Sequence, residues 1–304
     1  MKLIQWTLFV DMLGFSAMNG AVKNEEDAKE FIEFMDNNRK IFEQGDNAPL
    51  KKYYESDKYF NLYKYYEIRY AFVSDSLFIT YYPKEADDLK NEDLALMHSA
   101  NALFIIMIRL QAFLFHCFAE KGIFLRGGIS NKYCYIQENF AVGEGLIEAY
   151  QAESKFAKNP RIVLHPEIVK NSKLMDKINL LSNLMYGGKS LLEKDNDDLY
   201  FLDHIRYVLS TTDLSIPMIA RSASRNPFGY ISQCQTANSY LTKHADAIKK
   251  KIQEIEEEIK AATSNSQTSE IEQLRKVADK YYWLRDYHNS RIKQNPKFGR
   301  HIIG

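Results

Sequence analysis

Two carboxylates stand out by their position. Asp11 closes an apolar run over residues 1–10 and leads into the turn Met12-Leu13-Gly14-Phe15-Ser16. Asp75 is the centre of Ser74-Asp75-Ser76, a short polar step between two β-rich runs. A first strand lying beside that hairpin brings both carboxylates to one end of a sheet. Two carboxylates and a main-chain carbonyl, here that of Met12, form an all-oxygen donor set suited to hard divalent cations such as Mg2+ or Mn2+. The turn leads into a helix, so the N–H groups from Leu13 to Ser16 are placed to hold phosphate oxygens. Each aspartate also has a plainer use, since Asp caps helices and makes turns. Residue chemistry alone leaves both readings open.

The elements that must position these residues follow from hydrophobic periodicity. Residues 1–10 read as a strand, and Ala28, Phe31, Ile32 and Met35 recur at helical spacing over residues 24–42. Tyr66 to Phe72 and Leu77 to Tyr82 predict a hairpin with Asp75 at its tip, and Gly45 to Lys64 a surface connection. Asp93 to Lys121 reads as a helix stopped by Gly122 and apolar around nearly its whole circumference. Strands at 123–129 and 132–137, a helix at 145–156 and a strand at 161–164 complete the order β-α-ββ-α-ββ-α-β. That order predicts an α+β fold with helices packed on a mostly antiparallel sheet.

Residues 1–174 are expected to form this domain, and 175–304 a helical extension. Within the extension Ile248, Ile252, Ile255 and Ile259 face Ile271, Leu274, Val277, Tyr281 and Leu284 across a polar break, a helical hairpin suited to packing or dimerisation. His165 and His204 have no partner at metal-ligand spacing.

Composition narrows the class. The 304 residues carry 40 Lys+Arg against 40 Asp+Glu, so bulk charge offers no reason to bind nucleic acid or an anionic membrane. With 45% hydrophobic and 13% aromatic residues the chain is built to bury a core. Cys117, Cys134 and Cys234 form no CxxC pair, which points to free thiols in a reducing compartment. The apolar start is too short for a signal peptide, and Ala102 to Ile108 is far shorter than a membrane span. The expectation is a cytoplasmic protein without membrane or nucleic-acid partners.

Four motifs in order carry a family resemblance. Phe9-Val10-Asp11-Met12-Leu13-Gly14-Phe15-Ser16 resembles the first metal-binding strand of class III nucleotide cyclases, and Phe72-Val73-Ser74-Asp75-Ser76 their second metal turn. Leu125-Arg126-Gly127-Gly128-Ile129-Ser130 and the run from Val142 to Glu153 come next in the expected order. The Glu148-Ala149-Tyr150-x-x-Glu153 form of that last helix, with Lys280 to Leu284 and Tyr287-His288-Asn289, is similar to the pyrimidine cyclases of bacterial Pycsar antiphage systems. The resemblance implies a ferredoxin-like cyclase domain that holds two Mn2+ or Mg2+ ions through Asp11, Met12 and Asp75. It implies a homodimer with sites at the subunit interface, where one subunit's metals meet the other's helix around Glu148 to Glu153. The implied substrate is a nucleoside triphosphate, UTP ahead of CTP, converted to a 3′,5′-cyclic monophosphate that a separate effector protein detects in antiphage defence.

The departures matter as much. Purine cyclases carry an Asn and an Arg four apart where this chain has Ile147 and Gln151. The missing Arg normally steadies charge on the transferring phosphoryl group. Arg126 is the nearest replacement, with a surface or salt-bridge role as its plainer reading. The Lys and Asp that read adenine are replaced by Ala71 and Phe140, which fits a smaller pyrimidine. A catalytically silent nucleotide-binding domain and a purine cyclase are the alternatives.

Overall fold

The computed structural model describes residues 2–14, 19–20, 22–43, 62–73, 75–85, 89, 91–138, 140–185, 188–264 and 268–304. Most of the expected 45–64 connection therefore lies outside the described residues, as do Phe15 and Ser16. The chain divides into two compact units. One comprises Met1–Cys117, Ile123–Ala157 and Arg161–Asp203, and the other Phe118–Gly122, Lys158–Pro160 and His204–Gly304.

The first unit is a mixed α/β fold. Strand β1 (Trp6–Met12) is followed by helix α1 (Glu25–Glu43), a single helical turn α2 (Leu62–Tyr65) and the hairpin β2 (Tyr66–Val73) and β3 (Ser76–Pro83). Helix α3 (Glu92–Lys121) leads to β4 (Leu125–Ser130), and then to a separate two-stranded sheet, β5 (Tyr135–Gln137) with β6 (Phe140–Val142). Helix α4 (Glu144–Gln151) passes without a break into a π-helical turn, Ala152–Ala157, and then β7 (Ile162–Leu164). The main sheet has the order β2-β3-β1-β4-β7, continued by β9 (Tyr200–Leu202) and β8 (Leu192–Lys194), and is antiparallel except for the β4–β7 pair.

Strand alternation gives the sheet two different faces. Trp6, Leu8, Val10 and Met12 join Leu77, Ile79, Tyr81, Leu125 and Ile129 in the main core, together with Leu103, Ile106, Leu110 and Phe113 of α3. Each large apolar side chain buried there contributes roughly 1.5–3 kcal/mol. The opposite face carries Thr7, Phe9 and Asp11 in register with Thr80, Phe78 and Ser76 on β3, and with Ser130, Gly128 and Arg126 on β4. Helix α3 is long and apolar enough to cross a membrane by length and composition, beyond what the short run at 102–108 suggested, and 67% of its most apolar stretch is buried inside the protein.

The expected boundary after residue 174 falls inside this unit. Helices α5 (Pro166–Val169) and α6 (Ser172–Met185) are followed by two strands, β8 (Leu192–Lys194) and β9 (Tyr200–Leu202), which extend the sheet beyond β7. Short strands of three residues offer no periodicity to read. The buried Arg161 guanidinium holds their connection, pairing with the carboxylates of Asp195 and Asp197.

The second unit is helical: α7 (His204–Ser210), α8 (Pro217–Arg225), α9 (Pro227–Ser264), α10 (Thr268–Lys293) and a 3-10 turn, Pro296–His301. Helices α9 and α10 run antiparallel, with Tyr282 Oη donating to Glu256 Oε1 at 2.8 Å near one end and His244 facing His288 toward the other. Ile248 and Ile255 are buried on the seam. Beyond them the seam turns polar, with His244 and His288 fully buried.

Candidate functional site

Asp11 sits where β1 ends, directly opposite Ser76 on one neighbouring strand and Arg126 on the other. Asp75 is the turn residue before Ser76, so the hairpin tip brings the second carboxylate beside the first. Its effect on Asp11 is electrostatic. Burial, and next the charge of Asp75, push the Asp11 carboxyl above the usual carboxylate range. Arg126, a backbone hydrogen bond at Met12 and the Ser76 side chain oppose that shift. Two carboxylates that crowd one another are what a bound divalent cation relieves, so the donor set fits a hard metal ion.

Arg126 lies on the other flank. Its Nη2 is 3.5 Å from Asp11 Oδ2, and the same nitrogen forms an ion pair with Glu153 Oε1. Glu153 belongs to the π-helical turn, and its side chain is only 3% exposed. Both glutamates of the 148–153 segment are engaged inside their own chain. Glu148 accepts from Ser130 Oγ at 2.7 Å and lies 3.8 Å from His165 Nδ1. Ile147 and Tyr150 are exposed apolar residues of the same helix.

Two glycines let the helix come this close. A Cβ at Gly128 would sit 2.3 Å from Ala149 O, 2.4 Å from Ala152 Cβ and 2.9 Å from Glu153 N. A Cβ at Gly145 would sit 2.3 Å from Lys132 O and 2.8 Å from Thr7 Oγ1. Neither is in the left-handed region, so close approach alone accounts for them.

The turn after β1 is a partial correction. Leu13 N–H donates to Phe124 O at 2.9 Å, which removes it from the expected phosphate donors. Gly14 is exposed at φ +83°, a conformation that suits glycine, and Phe15 and Ser16 lie outside the described residues. Met12 is buried in the core by its side chain and pairs across the sheet with Leu125. Ala71 is buried against Cys134 and Ile136, whereas Phe140 is 76% exposed. Arg69 shares the face of Asp11 and stacks against Tyr82 and Tyr135.

Sequence reading missed Glu153 as the partner of Arg126. Its signal is a charged residue on the small-residue face of a helix, in line with Gly145, Ala149 and Ala152. The histidine layer of the second unit was also missed. His244 Nδ1 is 3.1 Å from His288 Nδ1, and His288 Nε2 is 2.8 Å from His301 O. Among the described residues no group of three or more His, Cys, Asp or Glu is arranged to hold a metal ion.

No protein-family model and no curated protein matches this chain. Among solved structures it is similar to the crystal structure of the guanylyl cyclase Cya2, with 11% identity and a TM-score of 0.30 over 66% of this chain and 93% of that one. Likeness at that level carries no argument, and the functional reading stands on the chain's own geometry and sequence.

Proposed function

We propose that this chain is a metal-dependent nucleotide cyclase that converts a pyrimidine nucleoside triphosphate, UTP ahead of CTP, to its 3′,5′-cyclic monophosphate and pyrophosphate. The observation that carries the reading is the convergence of Asp11 and Asp75 beside Arg126 at one end of the sheet. Asp11, Asp75 and the carbonyl of Met12 would hold the metal. Two bound Mn2+ or Mg2+ ions supply neutralisation of the triphosphate and acidification of the ribose 3′-hydroxyl. Arg126, on the flank of Asp11, meets charge developing on the transferring phosphoryl group. One well-placed donor of that kind contributes roughly 3–4 kcal/mol.

The pyrimidine preference rests on Ala71 and Phe140 standing where purine cyclases carry their base-reading Lys and Asp. A homodimer is part of the reading, supported by exposed apolar side chains on consecutive elements: Phe140 and Val142 on β6, Ile147 and Tyr150 on α4. So is a separate effector that binds the cyclic product.

The test is competition. Purified protein is incubated with ATP, GTP, CTP and UTP together and Mn2+, and products are identified by mass spectrometry beside Asp75→Ala. A cyclic pyrimidine absent from the variant supports the reading. Cyclic AMP or GMP moves the substrate to a purine, and nucleotide binding without any cyclic product leaves a silent domain.

A further inference from the structure

Arg126 is a single cation between two carboxylates of different character. Asp11, at the end of β1, keeps its side chain 20% exposed, while Glu153, within the π-helical turn, is almost wholly enclosed. Both contacts use Nη2, and Arg126 Nε is buried without a hydrogen-bond partner among the described residues. A guanidinium has five donors in a rigid fork, so this one keeps donors beyond those spent on its carboxylates. An arginine on a strand end has several rotatable bonds and loses them only if something holds it. Glu153 is that anchor. Its backbone is seated against Gly128, two residues from Arg126 on the same face of β4, at a separation no Cβ would allow. Strand and helix therefore fix the ion pair from both sides.

We infer that Glu153 is a positioning residue: it tethers Arg126 so that the guanidinium is already oriented toward phosphate oxygens bound at Asp11 and Asp75. The inference rests on the proposed phosphate-handling site and deepens it. When phosphate and cation arrive, Arg126 exchanges its contact with Asp11 for a phosphate oxygen and keeps Glu153. A lone arginine without the tether would bear the cost of ordering at each binding event.

The experiment is a double-mutant cycle on the full chain, read by calorimetric titration of inorganic pyrophosphate in the presence of Mn2+. Arg126→Met and Glu153→Gln are each expected to weaken pyrophosphate binding about tenfold, and the double variant no further, because both remove one oriented cation. The Arg126 Nη2–H resonances are expected to be resolved and slow to exchange in the wild type and in Asp75→Asn, and averaged by rotation in Glu153→Gln. If Glu153→Gln does not fold, Glu153→Asp, which draws the charge back by one methylene, gives the same reading with a smaller loss.

Additive losses, wild-type pyrophosphate affinity in a folded Glu153 variant, or no pyrophosphate binding by the wild type would each overturn the inference. Nucleotide turnover is measured in parallel. Coupling without any cyclic product keeps the positioning role and removes the cyclase reading, and turnover without coupling does the reverse.

Discussion

Gly128→Ala is the sharpest single perturbation of this site. The new methyl meets Ala149 O at 2.3 Å and Ala152 Cβ at 2.4 Å, both parts of a packed helix and neither the far end of a flexible side chain. Ordinary contact begins near 3.4 Å, so β4 and the α4 segment must separate by about 1 Å. Overpacking of this kind costs typically 1–3 kcal/mol. For a unit of this size each kcal/mol lowers the melting temperature by roughly 2–4 °C. The functional effect is expected to exceed the stability effect, since the displaced helix carries Glu153 and, through it, Arg126. A 1 Å misplacement of catalytic groups can reduce turnover on the order of 100-fold. Differential scanning calorimetry and product formation, measured on the same preparation, read both quantities. Gly299→Ala is the control, because its methyl meets nothing within 4 Å. A Gly128→Ala protein that melts within about 1 °C of wild type and turns over within about twofold of it would refute the idea that close approach at Gly128 sets the site.

Three further outcomes are expected. Because burial and Asp75 raise the Asp11 pKa, Asp11 ionisation costs stability in the metal-free fold; its contribution is present below the ordinary carboxylate value of 3.8 and is lost as pH rises through its raised value. Asp11→Asn should therefore raise the melting temperature of metal-free protein at pH 7 while abolishing Mn2+ binding, and wild-type Mn2+ affinity, followed by electron paramagnetic resonance, should fall as pH is lowered. In the second unit burial drives His244 well below 6.5 and His288 down to about 4, so the unfolded chain takes up protons first and stability falls as pH drops from about 6.5 toward 4. Circular dichroism at 222 nm should show this acid-induced loss, and His288→Gln should flatten it. Finally, Arg161→Met removes the buried cation that Asp195 and Asp197 share, and because both carboxylates retain contact with water it should destabilise the first unit by about 1.5–3 kcal/mol in urea denaturation.

Much of the site was legible because it is local. A carboxylate at the end of an apolar run and another between two β-rich runs are signals within a few residues, and they placed Asp11 at a strand end and Asp75 in a turn. The alternation of β1 and β3 then determined which side chains share a face with Asp11, since a one-residue slip would turn every core residue outward. Helix α3 announced itself by length and apolar coverage, and the isoleucine spacing marked α9.

What the sequence left open depends on distances between segments. The tie between Arg126 and Glu153 exists because two glycines let a helix seat on a strand, and no local pattern reports that separation. Leu13 N–H is spent on Phe124 O through an approach that turn chemistry alone does not reveal. The histidine layer joins His244 to His288 only once two long helices settle in register, and β8 and β9 are strands only because β7 offers them an edge. Periodicity and turn propensity are written along the chain; the placement of a charge within reach of another is an outcome of packing, and only the tertiary structure decides it.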